Sequence, residues 1–264
     1  MEIKEYVIKR KEGMIQEIST LDRPPVLSII SVGHNPASES YMKGKCKDSA
    51  DVGITAIRTG LDESATEEEL LDVIRKQNAD DSIDGIIVQL PVPAGIRESS
   101  IIETICKEKD VDGFRKDSPF VSCTPKGIVD YLEREGFNFS GKNAVVMGRS
   151  NIVGRPMAKL LLDRSCNVTV IHSKTCEEDK KLFLANADLI VVAIGKEAIL
   201  NSSYKLKETA WIVDVGINRG EDGKLHGDVE PNLPVAKQTP VPGGVGLLTR
   251  LALIENVLEA SKNK

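Results

Sequence analysis

The sequence predicts an α/β fold in two domains, each a mostly parallel sheet flanked by helices. Short apolar runs, bounded by glycine, proline or asparagine, alternate with helical patterns along all 264 residues. Several runs are continuously apolar, such as Gly85-Ile86-Ile87-Val88, which suits strands covered on both faces. From Asn143 the pattern changes to strand, glycine loop, helix, strand. The expected division is 1–121 and 122–245, with a final helix at 246–264 packing back on the first domain.

Residues 3–19 carry Ile3, Val7, Ile8, Met14, Ile15 and Ile18 at helical spacing. A strand at 25–32 is broken by Gly33-His34-Asn35-Pro36, and Asn35 or Ser38 caps a helix over 36–52. A strand at 54–59 follows. Thr66-Glu67-Glu68-Glu69 is a capping box that opens a helix to Asn78. A strand at 84–90 stops at Pro91-Val92-Pro93, and a helix covers 98–107. Thr124 is expected as the cap, and Pro125 as the first residue, of a helix that ends at Gly136. Strands at 144–147, 167–171, 188–194 and 211–215 alternate with helices at 155–164 and 177–186. Asp222-Gly223 predicts a hairpin turn between Ile217 and Val229, and a last helix runs to about Ser261.

Composition narrows the function. The net charge is -5 and no long block carries one sign, which argues against nucleic acid as a partner. The five cysteines are odd in number and lack CxxC spacing, as expected of reduced thiols in a cytoplasmic protein without a metal site. No apolar run reaches the roughly 18 residues of a membrane span, and the first residues do not resemble a secretory signal.

Gly148-Arg149-Ser150-Asn151-Ile152-Val153-Gly154 lies between a strand and a helix, the context in which a glycine loop binds a dinucleotide. Such glycines admit phosphate close to backbone, and the helix N-terminus offers free N–H groups. The spacing is not Gly-x-Gly-x-x-Gly, so the loop alone reads equally as a tight turn. At the end of the next strand, NAD enzymes usually hold an acid for the ribose hydroxyls. Here His172-Ser173-Lys174 stand there, and nothing repels a 2′-phosphate. That charge pattern favours NADP over NAD, with Arg149 in reach of the same spot. His172 also reads as a plain turn histidine.

Tyr41 and Lys45 are four apart and share one helix face at the carboxyl edge of the first sheet. Gln89 ends a strand at the same edge, and its amide oxygen is placed to hold the Lys45 amine. Burial would lower that amine toward the range of a working base. Read blandly, Lys43, Lys45 and Lys47 are a solvated face and Gln89 caps its own strand. Asp112, in Asp-Val-Asp-Gly-Phe, can bind the paired N–H donors of a guanidine-like ring or close an Asx turn. Pro240 to Gly246 is a rigid loop that approaches a ligand or merely crosses between domains.

Taken together, Tyr-Met-Lys-Gly-Lys (41–45), Val-Gln-Leu-Pro-Val-Pro (88–93), Lys-Asp-Val-Asp-Gly-Phe (109–114), Gly-Arg-Ser-Asn-Ile-Val-Gly-Arg-Pro (148–156) and Thr-Pro-Val-Pro-Gly-Gly-Val-Gly (239–246) carry a resemblance. Over residues 26–260 the chain resembles the bifunctional methylenetetrahydrofolate dehydrogenase/methenyltetrahydrofolate cyclohydrolase family. The resemblance implies a folate-binding first domain, an NADP-binding Rossmann-like second domain and a folate cleft between them. It implies oxidation of 5,10-methylenetetrahydrofolate with NADP, then hydrolysis of the methenyl product to 10-formyltetrahydrofolate, a one-carbon supply of the kind purine biosynthesis draws on. By similarity Lys45 is the cyclohydrolase acid/base, Gln89 tunes it, Tyr41 packs on the aminobenzoyl ring and Asp112 holds the pterin. Leu90, Pro242, Gly243 and Gly244 would complete the substrate site. Gly148, Arg149, Ser150, Ile152, Gly154, His172, Ser173, Ile194, Gly195 and Ile217 would form the cofactor site. A homodimer through the cofactor domain is implied as well.

The chain departs from the family pattern at the short Arg115-Lys116-Asp117-Ser118-Pro119 segment and at Leu247-Leu248. Three alternatives stay in view: a dehydrogenase in which Lys45 only binds substrate, a non-catalytic NADP-binding protein, and a shikimate-type two-domain dehydrogenase.

Overall fold

Strand β1 (Val26–Val32) is almost wholly buried. Such a strand needs a neighbour on each edge and a layer on each face. It pairs in parallel with β2 (Thr55–Leu61) and β3 (Gly85–Val88), giving the order β2-β1-β3. The computed structural model describes residues 1–263, and the chain divides into two compact units. One is Val7–Cys123 with Arg250–Lys264, and the other is Met1–Tyr6 with Thr124–Thr249.

In the first unit, α1 (Ile3–Ile18) contributes most of its length, and α2 (Pro36–Val52) joins β1 to β2. Asn35 Oδ1 accepts from the Ser38 N–H at 3.2 Å, so of the two expected caps Asn35 is the one used. Helix α3 (Glu67–Asn78) has both arms of the Thr66–Glu69 capping box. Ile30, Leu70, Ile74, Ile86 and Ile101 anchor the core. Helix α4 (Glu98–Thr104) is shorter than the expected 98–107. The Asn78 side chain takes over there, donating to Thr104 O at 2.7 Å and accepting from Cys106 N at 3.0 Å. A 3-10 turn at Lys107–Lys109 follows.

In the second unit, α5 (Cys123–Arg134) starts before the expected position, so Thr124 is not its cap and Pro125 is its third residue. The first four N–H groups of a helix lack internal partners, so proline costs no bond there either. Thr124 Oγ1 instead pairs with Thr249 Oγ1 at 2.9 Å. Gly136, at φ +84°, closes the helix as expected.

Strands β4 (Asn143–Met147), β5 (Asn167–Ile171), β6 (Leu189–Val192), β7 (Trp211–Asp214) and β10 (Lys237–Gln238) form a parallel sheet ordered β10-β7-β6-β4-β5. Helices α6 (Gly154–Asp163) and α7 (Glu177–Asn186) lie between β4, β5 and β6 in the chain. The expected hairpin is β8 (Asn218–Arg219) against β9 (Leu225–His226). At two residues, β10 is too short for a pattern to reveal. Helix α8 (Val245–Lys262) ends the described chain.

Candidate active site

In the first unit the carboxyl edge of the sheet gathers the residues singled out above. The Gln89 N–H extends the ladder past β3 by donating to Ile30 O at 2.8 Å. Tyr41 and Lys45 lie one turn apart on α2, with Lys45 Nζ 5.3 Å from the centre of the Tyr41 ring. That is cation–π range, and it keeps an amine near an aromatic face on which a flat ligand can also stack. Lys45 is only 6% exposed, so the reading of a solvated lysine face fails for this residue.

The amine lies close enough to Asp112 for its charge to act on that carboxyl. Burial pushes the Asp112 pKa up, and the Lys45 charge opposes the rise. Asp112 makes no hydrogen bond through its carboxyl among the described residues. The carboxylate that braces this turn is Asp110, whose oxygens accept from Phe114 N at 3.3 Å and Arg115 N at 2.9 Å, four and five residues on rather than the two of an Asx turn. Asp110 therefore does the turn's work and leaves Asp112 available to a ligand. Burial raises Asp110 to about 6.

Gln89 departs from expectation. Its Nε2 donates to Leu90 O at 2.7 Å, and Oε1 is buried with no hydrogen-bond partner. The bond to Lys45 is not made, because the Leu90 carbonyl orients the amide. A buried orphan acceptor costs about 1–3 kcal/mol, so this oxygen is poised to receive a donor.

Three supports were not anticipated. Asn256 of α8 is fully buried and clasps the Asp112 segment, donating to Val111 O at 2.9 Å and Val121 O at 3.1 Å. Arg250 pairs with Asp48 on α2 at 2.6 Å, and Lys11 holds the other oxygen of Asp48 at 2.6 Å. Gly44 makes room for this brace, since a Cβ there would lie 2.2 Å from Arg250 Nη1. These links join residues far apart in sequence, and no local pattern signals them.

In the second unit the parallel register places the cofactor candidates at one edge of the sheet. Met147 faces Ile171 and Val192 faces Asp214, so the segments beyond them emerge side by side. Gly148 sits at φ +118°, and a Cβ on it would lie 2.3 Å from Ala193 O. A Cβ on Gly154 would lie 2.4 Å from Gly148 O. The loop is thus closed so tightly that only glycine fits at either end.

Ser150 Oγ accepts from Val153 N at 3.2 Å and Gly154 N at 3.4 Å, bracing the loop on the start of α6. Arg149, Ser150 and Ser173 are exposed, and Ile152 and His172 are half-buried. His172 Nδ1 accepts from the Lys174 N–H at 3.2 Å, which is the turn role of the bland reading. No carboxylate stands in 172–175, so the edge suits a phosphorylated ribose. Ile194 and Ile217 are exposed apolar side chains at the same edge, 41% and 57% accessible, with Gly195 between their strands.

Pro242, Gly243 and Gly244 also lie in this unit, in a turn so close that a Cβ on Gly244 would meet Pro240 O at 2.2 Å. A cavity of about 480 Å³ lies elsewhere in the unit, against Asp214, His226, Leu233, Thr239 and Val241, and contains none of the glycine-loop residues.

A tight phosphate-type loop with a neutral-to-basic neighbouring strand end defines a nicotinamide-dinucleotide enzyme. The buried amine and carboxyl in the other unit add acid/base chemistry to it. Comparison with known proteins agrees. Residues 1–112 match the catalytic-domain model of tetrahydrofolate dehydrogenase/cyclohydrolase, and residues 122–264 match its NAD(P)-binding domain model. The "Bifunctional protein FolD" of Agathobacter rectalis is 43% identical, over 96% of this chain and 95% of its own. The crystal structure of the bifunctional enzyme FolD from Campylobacter jejuni superposes with a TM-score of 0.94 at 41% identity, covering 99% of this chain and 98% of its own. The FolD of Trypanosoma brucei, complexed with NADP cofactor and an inhibitor, gives 0.92 at 29% identity, over 100% and 97% of the two chains.

The chain belongs to the tetrahydrofolate dehydrogenase/cyclohydrolase family. It is a bifunctional enzyme of one-carbon folate chemistry, an oxidoreductase and a hydrolase.

Proposed function

We propose that the protein oxidises 5,10-methylenetetrahydrofolate with NADP and hydrolyses the resulting 5,10-methenyl cation to 10-formyltetrahydrofolate, with Lys45 as the acid/base of the second step. The buried Lys45 amine, between the Tyr41 ring and the Asp112 carboxyl, is the observation that carries this reading. Residues 1–121 with 246–264 are the folate-binding catalytic domain, and 122–245 the NADP-binding domain.

Asp112 binds the paired N–H donors of the pterin through its two oxygens. Tyr41 stacks on the aminobenzoyl ring, and Leu90 lines the same edge. Gln89 Oε1 accepts from a donor of the substrate or from the Lys45 amine once substrate reorients it. Pro242, Gly243 and Gly244 offer backbone to the folate. NADP, when bound, supplies the hydride acceptor, and the protein's task in that step is alignment. Gly148 and Gly154 let backbone approach the phosphates, Ile152 closes the loop over them, and Arg149, Ser150, His172 and Ser173 take the 2′-phosphate. Ile194, Gly195 and Ile217 give the nicotinamide ring an apolar wall.

In the second step water attacks the methenyl carbon. Lys45 takes one proton from that water and passes it to the ring nitrogen whose bond to carbon breaks, and the remaining hydroxyl proton leaves to solvent as the formyl C=O forms, so the charge of the cation departs as a proton. We place the enzyme in the cytoplasm, as a homodimer formed through the cofactor domain, with its product available to purine biosynthesis. Among the described residues no helix is long and apolar enough to cross a membrane.

Turnover of 5,10-methylenetetrahydrofolate with NADP and with NAD, followed at 340 nm, tests the assignment. NADP should give the higher kcat/KM. Equal use of both would remove the roles of Arg149 and Ser173, and inertness with both would overturn the reading.

A further inference from the structure

We propose that Asp228 is the positioning residue of the dinucleotide site, holding the Ile194–Lys196 turn and the start of β8 in place as one unit. The inference rests on the assignment of Ile194, Gly195 and Ile217 to the cofactor. Asp228 touches neither cofactor nor substrate in this account; it acts through the backbone that does.

Its carboxylate is fully buried and makes four hydrogen bonds. Oδ2 accepts from Ile194 N at 2.7 Å and Gly195 N at 2.8 Å. Oδ1 accepts from Lys196 N at 2.9 Å and Asn218 Nδ2 at 2.9 Å. Three successive N–H groups turned to one point form an anion cradle. In this chain the cradle is filled from within, so the turn is not a phosphate site and its shape is set by Asp228. Because Asn218 follows Ile217, the same carboxylate fixes both exposed isoleucines.

The surrounding sequence is built for this group. A Cβ on Gly216 would lie 2.1 Å from Asp228 Oδ1, so glycine is required beside it. Asp214, at the end of β7, holds the backbone of Asp228 in turn. Its Oδ1 accepts from Asp228 N at 2.9 Å and Gly216 N at 3.0 Å, and its Oδ2 from Val229 N at 3.0 Å. A Cβ on Gly227 would collide with Asp214 Oδ2. The path from β7 to the cofactor edge thus runs through two buried carboxylates.

Asp228→Asn keeps the shape but turns an NH2 donor toward backbone donors. The expected result is a raised KM for NADP and a kcat/KM lower by about 10- to 100-fold, the scale of a misplaced site. Hydrolysis of 5,10-methenyltetrahydrofolate by the same sample should keep its rate, which shows that the catalytic unit is intact. Asn218→Ala removes one donor only and should raise the NADP KM about threefold. A folded Asp228→Asn variant with normal NADP kinetics overturns the proposal, even if its melting temperature falls, because stabilisation alone would then be its role. If Asp228→Asn does not fold, Asn218→Ala decides, and a normal NADP KM there overturns it. Failure of the functional reading shows separately, as absence of NADP turnover in the unsubstituted protein.

Discussion

The two units build their sites in opposite ways. In the unit with the glycine loop, the site is mostly backbone: Gly148 and Gly154 in close contact, Ser150 tied to α6, and segments emerging side by side from a parallel register. In the other unit the site is mostly side chain. Lys45 from α2, Gln89 from the segment just past β3 and Asp112 from the segment after the 3-10 turn Lys107–Lys109 come from three separate parts of the unit. Backbone sites tolerate changes of side chain but no added atom, whereas side-chain sites tolerate small shifts but no change of charge. The chemistry divides in the same way. Hydride transfer needs placement, and proton transfer needs one titrating group.

Removing that group should give the largest effect. Lys45→Met is expected to slow methenyl hydrolysis by about 10²- to 10⁴-fold, the range of a lost general base, and to leave NADP binding unchanged. A comparable loss of both would merge the two sites into one function. Gly154→Ala is the converse. Its Cβ meets backbone, which cannot move aside, so kcat/KM for NADP should fall by about 100-fold while methenyl hydrolysis persists.

A pH effect comes next. Asp110 keeps its proton to about pH 6 when folded and loses it near 3.8 when unfolded. Its ionisation therefore costs stability, and the cost accrues as pH rises from about 4 to about 6, then stays constant. Urea unfolding of Asp110→Asn should gain about 2 kcal/mol on the unsubstituted protein across that window. A difference independent of pH would show that Asp110 is not held protonated.

Asp112→Asn, which loses one charge-assisted contact, should raise the folate KM about tenfold with NADP kinetics unaltered. Because burial raises the Asp112 pKa, the folate KM of the native enzyme should also begin to climb at a pH above the ordinary carboxylate range as acid is added. The smallest change is Thr66→Ala, far from both sites in sequence, which should cost about 1 kcal/mol through the capping box and move neither activity.

The fold was readable from the sequence because its signals are local. The apolar run at Val26–Val32, the capping box at Thr66 and the Asp222-Gly223 turn each need only a few neighbouring residues. The start of α5 differs because Thr124-Pro125 satisfies the rules for a helix beginning, and tertiary contacts of Cys123 place it two residues earlier. Helix α4 ended early for a similar reason, since the Asn78 side chain competes for its last turn. The Lys45–Tyr41 contact follows from i, i+4 spacing. The orientation of Gln89 does not, because it depends on which neighbour claims the amide nitrogen. Asp228, Asn256 and Arg250 were invisible for a deeper reason. Their partners lie many residues away, and only the folded chain reveals that a buried polar group is matched.

The most direct measurement is a single time course of the purified protein with 5,10-methylenetetrahydrofolate and NADP, following NADPH, the methenyl species and 10-formyltetrahydrofolate together. NADPH and 10-formyl product rising in step, with little methenyl build-up, is the predicted result. Methenyl accumulating to the level of NADPH would contradict it, leaving a dehydrogenase in which Lys45 carries no proton.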